Sequence, residues 1–398
     1  MNNAVGIDVS KGESIVTILR PFGEVVAPPF KLHHNSDELK NLVNVIKELE
    51  GETKVVLEAT GKYHLPVASF LSENGIFTSS VNPKLIKNFN NNSLRSVKTD
   101  KADSIKIAQY CLTIWNEIRS ATDVDITREQ LKTLNRQYNF FTKTKTTHKN
   151  NLISLLDQTF PGINRIFSST AKKDGSQKWV QFASRFWHAE CVRKYSLKEF
   201  SKKYLSWCNK NKYYFSMKTV EDIYTLAKTS ITTAPKNETF KLIIKSAIDQ
   251  LNTISRSVEL IRIEMDRLAS SLPEYDTVLS MPGVGKSLGP QLIAEIGDVT
   301  RFDKRNSLSA FAGVDPSVNQ SGSFESKHNS TTKHGSPVLR KTLFLIMSVL
   351  LQLSPEDDAV YQFLDKKRSE GKPYYVYMTA GANKFLRIYY GKVKSQVS

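Results

Sequence analysis

The sequence has little cysteine and no long hydrophobic run. Its three cysteines, Cys111, Cys191 and Cys208, form no CxxC pair, which excludes a disulfide framework or a zinc ribbon as the basis of the fold. No run of 18 apolar residues occurs, and the first residues have neither a basic start nor a long apolar core. We therefore expect no transmembrane helix, no signal peptide and no membrane partner, in a cytoplasmic protein.

Negative charge is also scarce relative to positive charge. The 398 residues include 56 Lys and Arg against 39 Asp and Glu, a formal net charge of +17. A strongly basic folded chain favours polyanionic partners, nucleic acid first and an anionic membrane surface second. Because 40% of the residues are hydrophobic, the chain can bury real cores, and its length predicts two or three domains.

The pattern along the chain predicts an α/β domain followed by mainly helical ones. Residues 1–125 begin with two short apolar strands split by Lys11–Glu13 and continue as alternating helices and strands. This order predicts a mixed sheet flanked by helices. Residues 273–365 are expected to form a mainly helical C-terminal domain, and residues 366–398 a basic tail that includes Tyr374, Tyr375 and Tyr377.

Two long helices with coiled-coil-like spacing are predicted in the middle of the chain, at residues 126–160 and 238–272. In the second, apolar residues recur every three or four positions from Leu242 to Leu268. This stripe predicts either packing of the two helices within one chain or a contact between subunits.

Between these helices, residues 161–237 read as a basic, aromatic insertion. The wider stretch 131–215 has 17 Lys and Arg and four acids, and it contains Trp179, Trp187 and Trp207. Flat aromatic rings among cations suit single-stranded or structured nucleic acid, so RNA binding is one interpretation. The other is that the rings form an ordinary helical core under a solvated lysine surface.

Four carboxylates in the first domain suggest metal chemistry. Asp8 lies in an apolar strand, Glu58 ends another, and Asp100 and Asp103 are three residues apart at the start of a helix. Carboxylate oxygens from two strand ends and one helix are what a pair of Mg²⁺ ions requires for phosphodiester cleavage. Each residue also has an ordinary interpretation: Asp8 as a turn residue, Glu58 as a surface charge and Asp100 as a helix N-cap.

These acids lie in the segments Gly6–Lys11, Leu57–Tyr63 and Lys98–Asp103. The segments resemble the DEDD-type transposases of bridge-RNA-guided insertion sequences, which include the Piv-type invertases. The C-terminal half matches as well, through Met281–Gly285, Phe311–Pro316, Asn319–Gly322 and Lys333–Arg340. The resemblance covers roughly residues 4–115 and 275–350.

The resemblance implies a RuvC-like, RNase H-fold domain at residues 1–125 and a transposase domain at 273–365. It assigns Asp8, Glu58, Asp100 and Asp103 to the tetrad that holds Mg²⁺, as two ions, and Ser321 to the nucleophile that attacks a DNA phosphate. Since a serine hydroxyl needs activation, the metal is expected to supply it, which requires the two domains to share one active site.

The same resemblance implies partners for this chain. It predicts donor and target DNA, a structured guide (bridge) RNA and a homodimer or homotetramer, in a prokaryotic cytoplasm. Candidate nucleic-acid contacts are Lys98, Lys286, Lys333 and Arg340. The turn before Lys286 can present backbone N–H groups to a phosphate, or it can be a simple tight turn.

The predicted activity is therefore RNA-guided DNA transposition through a serine–DNA intermediate. A Piv-type site-specific invertase would carry the same residues. Two further alternatives stay open: a metal-dependent nuclease or resolvase that uses water and leaves Ser321 idle, and a non-catalytic nucleic-acid-binding protein.

Overall fold

The computed structural model describes residues 1–59, 61–89, 99–118, 120, 125–168, 170–316, 320–321, 324–325 and 331–397. The chain divides into two compact units, Met1–Asp125 and Ile126–Ser398. Lys98, one of the predicted contacts, lies outside the described residues.

The first unit is built on a five-stranded mixed sheet in the order β3-β2-β1-β4-β5. The first three strands form an antiparallel meander, and β4 and β5 run parallel to β1. The elements of this unit are β1 (Asn2–Val9), β2 (Glu13–Leu19), β3 (Val25–His33), α1 (Ser36–Glu48), β4 (Glu52–Glu58), α2 (His64–Glu73), β5 (Thr78–Val81), α3 (Pro83–Asn88) and α4 (Asp100–Thr113).

Successive side chains of each strand point to opposite faces of the sheet, so the strands contribute to two hydrophobic cores. Helices cover both faces and complete these cores. Val5 and Ile7 of β1 point into one core together with residues of α1 and α2. Ala4 of β1 and Val56 of β4 point into the other core, with Ile107 of α4. The predicted mixed sheet followed by a mainly helical remainder is thereby confirmed.

The second unit is mainly helical. Its elements are α5 (Ile126–Thr159), α6 (Lys178–Arg185), α7 (Glu190–Arg193), α8 (Leu197–Asn211), α9 (Met217–Thr229), α10 (Glu238–Ala269), α11 (Tyr275–Leu279), α12 (Leu288–Ile296), α13 (Arg305–Ala312), β6 (Gln320–Ser321), β7 (Phe324–Glu325), α14 (Pro337–Leu353), α15 (Ala359–Ser369) and α16 (Tyr374–Val397). No helix in the described ranges is both long and apolar enough to cross a membrane.

The aromatic residues of the middle stretch form a hydrophobic core. Trp179, Trp187 and Trp207 are 6%, 5% and 3% exposed, and they pack in one cluster with residues of α5, α8, α9 and α10. The expectation that these rings stack on bases is therefore wrong for the three tryptophans. Composition could not distinguish the two arrangements, because the lysines between the rings reach solvent while the rings turn inward.

The segment 366–398, predicted as a basic tail, contains a helix that packs in the main core of the second unit. The last helix, α16, buries Phe385, Leu386 and Tyr389 in the cluster that also contains residues of α12 and α14. Its basic residues lie between these apolar positions, which is why the composition resembled that of a tail.

Helix α10 packs one face on α5, and two apolar residues outside its stripe are exposed. Leu251, Val258 and Met265 of the stripe are buried within the chain, whereas Leu260 and Ile263 are 68% and 53% exposed. The stripe thus serves packing within one chain, and Leu260 and Ile263 form a second apolar surface on another face of the helix.

A buried carboxylate joins three helices of the second unit. Glu295 of α12 is 2% exposed and accepts hydrogen bonds from Asn135 Nδ2, Arg136 Nε and Arg136 Nη2 of α5, each at 2.9 Å. Its other partner is Ser336, the N-cap residue of α14, whose Oγ donates at 2.9 Å. A second buried acid, Glu274, is paired with Arg128 at the start of α5.

We predict that Glu295→Gln destabilises the second unit by about 1–3 kcal/mol, because one charge of a buried network is lost while its donors remain. Urea denaturation followed by circular dichroism measures the change. The matched control is Glu264→Gln, which removes an exposed Arg267 pair and is expected to change stability by less than about 0.5 kcal/mol. Equal effects of the two variants would contradict a structural role for the network.

Candidate active site

Two of the predicted acids lie side by side at the carboxyl ends of neighbouring strands. Strands β1 and β4 are parallel, with Ile7 opposite Leu57, so the next residues along are Asp8 and Glu58. Both are half-buried and share the sheet face of Val56, which α4 covers. The interpretation of Asp8 as a turn residue is wrong, since it lies within β1.

The other two acids occupy the first turn of the helix on that face. Thr99 is the N-cap of α4, and its Oγ1 accepts a hydrogen bond from the Ala102 amide at 3.2 Å. Asp100 therefore is not the N-cap, and it joins Asp103 in the first turn. Negative side chains there are favoured by the partial positive charge of a helix N-terminus.

A glycine in β1 sets how closely this helix approaches the sheet. A Cβ atom at Gly6 would lie 2.3 Å from the carbonyl oxygen of Ser104 and 2.4 Å from the amide nitrogen of Ala108. The strand neighbour of Gly6 is Thr17, whose hydroxyl is hydrogen-bonded to the Ser104 hydroxyl at 2.7 Å. The absence of a side chain at Gly6 thus lets α4 lie directly on the sheet, with its first turn toward Asp8.

The four acids lie close enough to repel one another. Burial and the negative charges of Glu58, Asp103 and Asp100 raise the pKa of Asp8 to about 6, from an ordinary value of 3.8. Burial is the largest cause. A site that brings carboxylates together in this way favours a bound cation, which would stabilise their charged forms.

The donor set fits Mg²⁺ in its chemistry, because it consists of hard, negatively charged oxygens. In the part of the chain that the structure describes, no three His, Cys, Asp or Glu side chains gather tightly enough to enclose a metal ion. Asp8, Glu58, Asp100 and Asp103 are thus brought into electrostatic range without forming a closed coordination shell.

Ser321 lies in a small hairpin of the second unit. Strands β6 and β7 pair antiparallel, with Ser321 opposite Phe324; its side chain lies outside the described residues. The chain on either side of the hairpin is joined by an antiparallel bridge between Pro316 and Thr331. Next to this bridge, Thr332 Oγ1 donates to Asp315 Oδ1 at 2.7 Å.

One arginine and two glycines bring together the chain segments next to this bridge. Arg340 Nη1 donates to the carbonyl oxygens of Ala312 and Gly335, at 3.0 and 3.1 Å. Gly335 packs against the backbone of Phe311, where an added Cβ would lie 2.0 Å from the carbonyl oxygen. Gly313 has a φ of 64° and ends α13. We call this arrangement, from Phe311 to Pro316 and from Thr331 to Arg340, the hairpin clamp.

The three predicted basic contacts that the structure describes have different surroundings. Arg340 holds the clamp through its guanidinium group. Lys333 is exposed within the clamp and has a φ of 52°. Lys286 is exposed directly after the Gly283–Gly285 turn, where Gly283 lies against Leu350 and Ile346 of α14.

Sequence reasoning missed the residues that position these groups. Gly6 was read only as part of a motif, although a glycine inside an apolar strand signals a close backbone approach. The contact between Glu295 and Ser336 was harder to predict, because no sequence pattern shows which acid of a helix becomes buried. A carboxylate within the apolar run 288–296 was the one available indication.

Two family models match the chain. Residues 5–161 match a model described as a transposase of the DEDD, IS110 type. Residues 275–362 match a model described as transposase IS116/IS110/IS902 family. The first match contains Asp8, Glu58, Asp100 and Asp103, and the second contains Ser321 and the hairpin clamp.

The named relatives are similar to this chain at low sequence identity. An insertion element IS110 uncharacterized protein of Streptomyces coelicolor is 22% identical over 69% of this chain and 65% of its own length. The pilin gene-inverting proteins of Moraxella bovis and Moraxella lacunata are each 26% identical over 40% of this chain. The chain spans half the length of these two relatives.

We predict that Gly6→Ala destabilises the first unit by about 1–3 kcal/mol, because the added methyl group forces α4 away from β1. Differential scanning calorimetry provides the measurement. Gly391→Ala is the control: nothing lies within 4 Å of a Cβ there, and alanine favours the helix. An unchanged melting temperature in Gly6→Ala would show that α4 does not rest on this glycine.

We predict that Asp8→Asn raises the melting temperature in the presence of EDTA by a few degrees, because it removes a half-buried charge that three neighbouring acids repel. Asp37→Asn is the control. Asp37 is exposed in the first turn of α1, where the helix N-terminus favours its charge, so its loss should lower stability slightly. A lower melting temperature in Asp8→Asn would contradict the charge repulsion.

Proposed function

Because the chain belongs to the IS110 family of transposases, we propose that it is a DNA recombinase that moves an insertion element. The observation that carries the proposal is the convergence of Asp8, Glu58, Asp100 and Asp103 at one edge of the first unit. The meander followed by two parallel strands agrees with an RNase H-like fold for this unit.

In the proposed reaction, Ser321 Oγ attacks a DNA phosphate. A phosphoserine bond forms, the bond from phosphorus to one deoxyribose oxygen breaks, and that oxygen leaves as a hydroxyl with a proton. The serine proton is released in the same step. Because one phosphodiester is exchanged for another, the bond energy is retained and rejoining needs no ATP.

The four carboxylates are the residues that would hold Mg²⁺. When bound, the metal supplies positive charge that stabilises the negative charge developing on the phosphate and the leaving oxygen. The residues of the chain have separate tasks: Thr99 caps the helix that carries Asp100 and Asp103, and Gly6 lets that helix lie on the sheet. The hairpin clamp holds the backbone around Ser321.

The partners in this proposal are DNA, a structured guide RNA and further copies of the chain. The net charge of +17 supports the nucleic-acid partners, although the buried tryptophans remove the aromatic argument for RNA. Exposed Leu260 and Ile263 on α10 support a homodimer or homotetramer, since exposed apolar residues at helical spacing favour a partner helix.

A site-specific invertase is the second candidate. The observation in its favour is the 26% identity to the two pilin gene-inverting proteins. It would use the same residues and the same serine step, so it differs from the first candidate in the DNA sites that are joined.

We predict that a Mg²⁺-dependent covalent protein–DNA adduct forms with the wild-type protein and falls to background in Ser321→Ala. The protein is incubated with labelled DNA from the ends of its element and RNA transcribed from the adjoining sequence. Adducts are resolved on a denaturing gel, with and without Mg²⁺.

Ser323→Ala is the matched control, a serine two residues away that should retain the adduct. Asp103→Asn should lose it while Ser321 remains present. Cleavage of the DNA with no adduct in the wild-type protein would instead identify a nuclease that uses water. An adduct retained in Ser321→Ala would move the nucleophile elsewhere.

A further inference from the structure

A groove of about 840 Å³ opens at the base of the Ser321 hairpin. Pro316 and Thr331, the two residues of the bridge in the hairpin clamp, lie on its wall. The segment that carries Ser321 is therefore bounded in the sequence by two residues of this groove. Its volume is that of a pocket for a small organic group, which is ample for one nucleotide.

One side of the groove is positively charged. Its described lining includes Lys333, Arg340 and Lys341, and this described lining contains no Asp or Glu. Arg340 is held in place by its bonds to Ala312 and Gly335, and Lys341 Nζ donates to Asn139 Oδ1 at 2.9 Å. Fixed cations along one wall suit a phosphate backbone, which needs charge rather than a sequence-specific contact.

Aromatic and apolar side chains also line the groove. Phe344 of α14 and Tyr375 of α16 have ring centroids 6.4 Å apart, and both line the groove with Val376. Tyr375 is 73% exposed and Val376 is 51% exposed, so the ring of Tyr375 is accessible from solvent. An exposed ring beside a cationic wall is the combination on which nucleobases stack.

We propose that this groove binds one unpaired nucleotide of the DNA strand that is cut at Ser321, with its base against Tyr375 and its phosphate toward the cationic wall. The inference rests on the proposed function, which supplies the DNA strand. A base within a duplex has both faces covered by its neighbours, so only a base turned out of the stack can fill a pocket of this kind. The occupant is DNA because the groove adjoins the hairpin of the nucleophile.

The role of such a site is to position the strand. A nucleotide held beside the clamp fixes the register of the backbone relative to Ser321, since adjacent phosphates are joined covalently. It also gives a role to Tyr375 of the tyrosine-rich segment, which the reaction itself does not require.

Binding of short single strands tests the proposal without any reaction. Fluorescence anisotropy in EDTA compares a labelled thymidine oligonucleotide with an abasic oligonucleotide of the same length, which has the phosphates and no bases. We predict that Tyr375→Ala weakens binding of the thymidine strand by about 5- to 100-fold and leaves binding of the abasic strand unchanged. Thr379→Trp, which fills the groove, should have the same selective effect.

Tyr214→Ala is the control, because Tyr214 is 87% exposed and lies before α9, outside the groove lining. It should keep the wild-type preference for the thymidine strand. Equal losses for both probes in Tyr375→Ala, or no loss for either, would overturn the proposal. A selective loss confined to a uridine RNA strand would overturn the assignment to DNA.

Failure of this proposal and failure of the proposed function give different results. If the wild-type protein forms the Ser321 adduct but Tyr375→Ala keeps its base preference, the recombinase stands and the nucleotide site falls. If base-selective binding depends on Tyr375 but no adduct forms, the groove is a single-strand site in a protein without serine chemistry.

Discussion

The buried carboxylate of Glu295 is the interaction on which the second unit depends. A charge removed from water is tolerated only when its lone pairs are satisfied, and here the donors come from α5 and from the N-cap of α14. These helices and α12 can therefore pack together in only one relative position. Helix α14 also carries Arg340, whose guanidinium donates hydrogen bonds to the carbonyl oxygens of Ala312 and Gly335 within the hairpin clamp. Helix α14 thus connects the Glu295 network to the hairpin clamp.

The first unit relies on a steric constraint. Because Gly6 has no side chain, α4 lies on the backbone of β1, and its acidic first turn approaches Asp8 and Glu58. The negative charges of Glu58, Asp103 and Asp100 disfavour the charged form of Asp8 and raise its pKa, so this arrangement opposes the stability of the unit. Local conflict of this kind is expected at functional sites, where an arrangement is retained for what it binds.

Much of this architecture could be predicted from patterns along the chain. The meander and the parallel strands of the first unit follow from short apolar runs separated by turn residues, and α10 follows from its three-and-four spacing. The aromatic middle stretch could not be predicted in the same way. Composition shows that rings and lysines alternate, but whether a ring faces a core depends on α5, α8, α9 and α10 meeting around it. The sequence therefore left both interpretations of the three tryptophans open, and the helical core is the one that the structure shows.

By itself, the sequence determined the class of the fold, the family and the four acids, because strand and helix periods and short motifs are local properties. Only the tertiary structure decided that Thr99 and not Asp100 caps α4, that α16 belongs to the core, and that Tyr375 faces a cationic groove beside the Ser321 hairpin. Each of these depends on which surfaces meet, and segments far apart in the chain meet through burial and charge pairing that no local pattern records.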